Sequence, residues 1–147
     1  MKKLHFQVRI RASRKKVWDT MLAPDTYRKW TSAFAEGSYY EGSWTKGATI
    51  RFLAPSGEGM FSRVAESREH EFILLEHLGV LKEGKEDRDN PLAKDWAGAK
   101  EAYSFSEASG VTTVAVDTDT SEEMEAEFSM MWPKALASLK ALCEQRP

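Results

Sequence analysis

His77 and Glu101 are the two ionisable residues that the patterning of this sequence directs inward together. Taking Ser109-Gly110 as a two-residue loop sets Phe105 opposite Val114, Tyr103 opposite Val116 and Glu101 opposite Thr118, on the face that the valines mark as buried. With Ser67 to His70 as the preceding turn, Val64 meets Ile73, Ser62 meets Leu75 and Met60 meets His77. A symmetric closure of the connection between those two hairpins then pairs Leu75 with Tyr103 and His77 with Glu101, their Cβ atoms expected ~4.5–5.5 Å apart. An imidazole beside a carboxylate in an apolar interior can orient a ligand, act as a general base, or be a core histidine with its hydrogen bonds satisfied. The carboxylate favours the imidazolium and burial favours the neutral ring, so the sign of the shift stays open. No nucleophile with an activating neighbour accompanies the pair, which favours ligand binding over catalysis.

The other reactive types point elsewhere. His5, His70 and His77 are not grouped with cysteine or in an HExxH pattern, so no metal site is expected. Gly37, Gly42 and Gly47 lie among strand residues with no helix start behind them, so no phosphate loop and no cofactor is expected. Asp117 and Asp119 share a strand face with Thr113 and Ala115, opposite Val114 and Val116, and read as solvent-exposed. The single cysteine, Cys143, rules out an internal disulfide and falls on an apolar helical stripe, the place of a structural thiol.

Several elements must position the pair. Leu4, Phe6, Val8 and Ile10 alternate with polar residues as a strand with one wet face. Ser13 caps a helix that buries Val17, Trp18, Met21 and Leu22, and Tyr27, Trp30 and Phe34 fit a second short helix or turn after Pro24. Strands are then expected near Ser38 to Trp44, Ala48 to Leu53, Gly59 to Glu66, Glu71 to Val80, Lys100 to Glu107 and Val111 to Asp119. The stretch from Leu81 to Gly98, charged and containing Asn90-Pro91 and Trp96, is expected as a long connection that opens and closes over a pocket mouth. From Ser121 to Arg146 the apolar residues fall at three-and-four spacing, predicting a long helix capped by Ser121 and bent at Pro133. One strand, two small helices, six strands and a long helix make an α+β chain. A seven-stranded antiparallel sheet curled around that last helix buries every apolar face, the helix-grip arrangement.

At 147 residues, 41% hydrophobic and 30% charged, the chain is expected to form one globular domain, residues 1–147. No apolar run approaches the ~20 residues of a membrane span, and Met1-Lys2-Lys3 leads into an alternating strand, so the expected compartment is the cytoplasm, without integral membrane association. Up to Trp30 the net charge is +7 and beyond it −9. The basic third reads as solvated outer faces, and without a nucleic-acid motif no nucleic-acid partner is expected.

The run Ala12-Ser13-Arg14-Lys15-Lys16-Val17-Trp18, Trp30 at the end of the second helix, Gly59 opening a central strand and Trp132-Pro133-Lys134-Ala135-Leu136 resemble the SRPBCC, or START-like, superfamily over essentially the whole chain. Within it the sequence is most similar to the branch of heat-shock chaperone ATPase activator homologues. The resemblance implies a cavity between sheet and long helix that binds hydrophobic molecules in many members, cyclase or hydrolase activity in a few, and a chaperone partner in the co-chaperone branch.

The expected ligand site therefore has Met60, Ser62, His77, Glu101, Tyr103 and Thr118 on its wall. Met124, Phe128, Met131 and Trp132 roof it from the helix, with Trp96 as lid anchor or plug. For the apolar members plain core packing, ~1.5–3 kcal/mol for each fully buried side chain, is the competing role.

Overall fold

The alternation that marks the first strand is realised in β1, Lys2–Ile10, whose odd-numbered side chains face water while Ile10 is fully buried. The computed structural model describes residues 1–145, so Arg146, the expected end of the last helix, lies outside the described residues. Ser13 leaves the strand in an extended conformation and accepts the Lys16 N–H, starting α1, Arg14–Leu22. Pro24 then opens α2, Pro24–Trp30, where its missing N–H costs nothing, with Asp25 in the first turn and Arg28 and Lys29 in the last. A short 3-10 turn, Thr31–Ala33, ends this helical corner. Trp30 Nε1 donates to the Met21 carbonyl at 3.0 Å and the Tyr40 hydroxyl to that of Leu22, so both helices are tied at their C-terminal ends.

The sheet is built from β2 (Tyr39–Gly42), β3 (Thr49–Leu53), β4 (Gly59–Arg68), β5 (Phe72–Lys82), β6 (Lys85–Asp87), β7 (Lys100–Ala108) and β8 (Val111–Thr120) together with β1. Its order is β1-β8-β7-β5-β4-β3-β2, with every pairing antiparallel and β6 attached to the end of β5. The sheet is eight-stranded rather than seven-stranded. The extra strand arises because Glu83 and Gly84, at φ 51° and 76°, form a tight hairpin between Lys82 and Lys85. The same geometry at Ser109 and Gly110, φ 52° and 77°, gives the β7–β8 register expected from the sequence, residue for residue.

The expected connection from Leu81 to Gly98 is largely ordered structure. After β6, Asp87 accepts from the backbone N–H of Asp89 and Asn90, and Asn90 caps α3, Pro91–Trp96, by accepting the Ala93 N–H at 2.8 Å. The helix buries Ala93 and Trp96 against Val80 and Ala99, with Met60, Met124 and Phe128 packed on the cluster. A free lid needs few apolar anchors, and this segment has several, so the expectation of an opening loop is replaced by that of a pinned plug.

The long helix is α4, Glu125–Glu144, which continues through Pro133 and buries Trp132, Ala135, Leu136, Leu139 and Cys143. It begins one turn later than expected, because Ser121 accepts the Met124 N–H at 3.3 Å within a turn that precedes the helix rather than capping it. Trp132 is the centre of the packing. Its ring lies 4.9 Å from Phe34, 6.0 Å from Tyr103, 6.1 Å from Phe6 and 6.4 Å from Trp30, joining helix, sheet and helical corner in one core.

Candidate functional site

On β7 the period of two turns Glu101, Tyr103 and Phe105 to the concave face. Glu101 stands directly opposite Thr118 of β8 on one side and Leu75 of β5 on the other. His77 is therefore not opposed to Glu101 but sits two residues further along β5, its N–H donating to the Ala99 carbonyl at 2.8 Å. The expected β5–β7 register is in error by two residues, because α3 makes the connection asymmetric. A shift of two preserves facing, so the pair survives as diagonal neighbours, His77 Nε2 lying 3.8 Å from Glu101 Oε1. The β4–β5 register also differs from expectation. Irregularities between Phe61 and Ser62 and between Val64 and Glu66 move Ser62 opposite His77 and Met60 opposite Val80.

Burial decides the protonation of these groups. His77 is 1% exposed, and the loss of water lowers its pKa to about 4 against a smaller upward pull from Asp119. Burial raises Glu101 to about 7, opposed by the hydroxyl of Tyr103, which donates to Glu101 Oε2. Near neutral pH the imidazole is uncharged and the carboxyl is poised between its two forms. At 3.8 Å with a neutral ring, the contact is a polar juxtaposition and not an ion pair. Burial and the nearby Glu101 also raise Tyr103 and Tyr27 above the ordinary phenol range, so both hydroxyls keep their protons.

The fixed partner of His77 is Ser62, whose Oγ lies 2.6 Å from Nδ1 in a fully buried contact. Ser62→Ala leaves that ring nitrogen without its partner, and a loss of ~1–3 kcal/mol in unfolding free energy is expected from urea titration. An unchanged midpoint would show that His77 does not depend on this bond.

In front of the pair lies a cavity of about 240 Å³. Its floor holds Met60, His77, Glu101 and Tyr103, and α4 contributes Phe128 and Trp132. The opposite wall comes from the helical corner and the β2–β3 hairpin, through Tyr27, Trp30, Phe34, Trp44 and Phe52, with exposed Glu58 on the rim. Around Tyr27, Phe52 lies nearly parallel at 6.4 Å and 27°, and three further rings stand at steeper angles. Tyr40 is at 4.9 Å and 87°, Trp30 at 5.6 Å and 78°, and Trp44 at 6.3 Å and 56°. The indole N–H of Trp44 is buried and has no protein acceptor among the described residues.

Of the residues expected at the site, Met60, His77, Glu101, Tyr103, Phe128 and Trp132 line the cavity. Ser62 lies behind His77, Thr118 is buried opposite Glu101, and Met131 is half-buried on α4, all three outside the lining. Trp96 and Met124 belong to the neighbouring cluster, with the Trp96 ring 6.2 Å from His77 and 6.1 Å from Phe128, closing that end. The wall formed by Tyr27, Trp30, Trp44 and Phe52 was not read from the sequence as part of the site. Its signal is the density of aromatic residues between Tyr27 and Phe52, which exceeds what two short helices and a hairpin need for packing. Among the described residues no three His, Cys, Asp or Glu side chains are grouped as a metal site, and no helix is long and apolar enough to cross a membrane.

No family model matches the chain, and no curated protein matches it in sequence. Solved structures do. The Aha1 dimer of Colwellia psychrerythraea is 22% identical with a TM-score of 0.73, over 98% of this chain and 97% of that one. Protein MLL2253 of Mesorhizobium loti is 10% identical with a TM-score of 0.76, over 99% of both chains. CalU16 of Micromonospora echinospora is 17% identical with a TM-score of 0.66, over 97% of this chain and 76% of that one. Likeness across nearly the full length at such low identity carries the fold alone: the chain has a helix-grip fold.

Proposed function

We propose that this chain is a binding domain for a compact hydrophobic or amphipathic small molecule, held between the curved sheet and α4. The observation that carries this reading is the aromatic cavity of about 240 Å³, open on one side, with His77, Glu101 and Tyr103 gathered on its floor. Apolar walls with a few convergent polar groups are the usual make-up of small-molecule sites. The volume lies below the ~300–1,000 Å³ of typical pockets, which favours a ligand of one or two rings over a long acyl chain. An environment-sensitive apolar dye should bind the native protein saturably. Phe128→Asp, which puts a carboxylate into the wall, should weaken that binding roughly tenfold or more, at the ~1.4 kcal/mol per decade of affinity. Equal binding by this variant and the wild type would locate the dye elsewhere and overturn the reading.

A second reading, an acid–base enzyme of cyclase or hydrolase type, is favoured by the place of the Glu101 carboxyl on the cavity floor, where burial raises its pKa to about 7. In that case the proton carrier is Glu101 rather than His77, whose pKa of about 4 makes it a weak base. The likeness to Aha1, at 22% identity, extends to the fold and supplies no argument for a chaperone partner.

A further inference from the structure

We propose, resting on the reading of the cavity as a ligand pocket, that its ligand is an organic cation, a protonated amine or quaternary ammonium on a small apolar or aromatic body. The first ground is the charge of the walls. The chain has 21 lysines and arginines, yet among the described residues none lines this cavity, whereas Glu101 lies within it and Glu58 on its rim. An anion entering here gives up its water and meets no positive charge, only neutral donors such as the Trp44 indole N–H and the Tyr27 hydroxyl, and it faces the Glu101 carboxyl.

The second ground is the wall itself. Tyr27, Trp30, Trp44, Tyr103 and Trp132 surround the space with rings inclined to one another by 38° to 78°, and a ring face attracts a cation through its quadrupole. A carboxylate at the base of such a cage supplies the countercharge. One oxygen of Glu101 accepts the Tyr103 hydroxyl, and the other, 3.8 Å from His77 Nε2, is beyond hydrogen-bond range of that ring and able to accept from an ammonium.

Binding is then linked to the protonation of Glu101. The groups that face it are His77 on β5, Tyr103 on its own strand and Tyr27 on α2, while β8 presents Thr118 and α4 presents Phe128 and Trp132, none of them ionisable. Asp119 of β8 acts on His77, and Glu58 stands on the rim. Both phenols keep their protons and His77 is neutral above its pKa of about 4, which leaves Glu101, at about 7, as the group that titrates around neutrality. An ammonium binds its ionised form, so affinity rises with pH through that value.

The test is calorimetric titration of the full chain with three ligands of one shape, phenethylamine, phenethyl alcohol and hydrocinnamate. Between about pH 6 and about pH 8 the amine should bind about tenfold more tightly, following the ionised fraction of Glu101, with little change for the alcohol and a fall for the acid. At the higher pH the amine should exceed the alcohol by roughly tenfold. Glu101→Gln should remove the pH dependence and most of the amine's advantage while still binding the alcohol, which shows that the variant folds. Alcohol or acid binding as tightly as the amine, or an amine preference that persists in Glu101→Gln, overturns the cation proposal and leaves the pocket standing. Binding of none of the three by the wild-type protein overturns both.

Discussion

Gly59→Ala is expected to cost the protein on the order of 4 kcal/mol, enough to lower its thermal midpoint by roughly 10 °C or more. A Cβ at residue 59 would stand 1.8 Å from the Phe52 carbonyl oxygen, 2.9 Å from the Phe52 carbonyl carbon and 3.2 Å from Leu53 Cα. All three are backbone atoms of β3, so no side chain can rotate away, and β3 must separate from β4 at the Leu53–Gly59 pair. The separation reaches the core through Leu53, which packs with Phe61 and Leu81, and reaches the cavity through Phe52. Gly84→Ala is the control. Its Cβ would meet nothing within 4 Å, and its φ of +76° should cost only about 1 kcal/mol. Equal losses in the two variants, measured by thermal and urea unfolding, would show that steric contact at Gly59 is not the cause.

The second large effect is a pH dependence that the wild-type protein hides. His77 falls from an ordinary 6.5 to about 4 on folding, so the folded state holds fewer protons between those values. Its contribution is present above 6.5 and is lost as pH falls towards 4. Glu101 rises from 4.5 to about 7, so the folded state holds more protons there. Its contribution is present below 4.5 and is lost as pH rises through 7. Each slope is about 1.4 kcal/mol per pH unit, and the two oppose one another across the shared window. Glu101→Gln leaves the histidine alone, and its stability should fall by about 3 kcal/mol from pH 6.5 to pH 4. His77→Gln leaves the carboxyl alone, and its stability should fall by about 3 kcal/mol from pH 4.5 to pH 7. Glu66, Asp87 and Glu144 carry lowered pKa values in all three proteins, so differences between the curves isolate the pair. Parallel curves from urea unfolding across this range would refute the assignment.

Elements whose signal is local could be read from the sequence. The alternation of β1, the Ser13 cap and the Ser109-Gly110 turn each depend on residues within a few positions, and each is found as expected. The β7–β8 register followed because a tight turn leaves no freedom in counting. The β4–β5 and β5–β7 registers failed where bulges or an intervening helix alter the count, a matter of packing rather than local spacing. Glu83-Gly84 carried a turn signal of the same kind as Ser109-Gly110, masked by the charged residues around it. The floor of the site was legible because strands alternate. The facing wall was not, since the docking of α1, α2 and the β2–β3 hairpin over the sheet depends on contacts between residues far apart in the chain, such as Trp30 with Trp132 and Tyr27 with Phe52.

The placement of the indoles makes the molecule optically asymmetric. Of its five tryptophans, Trp30, Trp44 and Trp132 border the cavity and Trp96 touches it through Phe128 and His77. Trp18 packs instead on Phe105 and His70, outside the lining. Most of the native chromophores thus sample the dielectric of one small space, while one reports on the body of the fold. Occupancy and unfolding are thereby separable in the emission of the unlabelled chain: the entry of a guest perturbs the former set, and loss of tertiary packing perturbs them all.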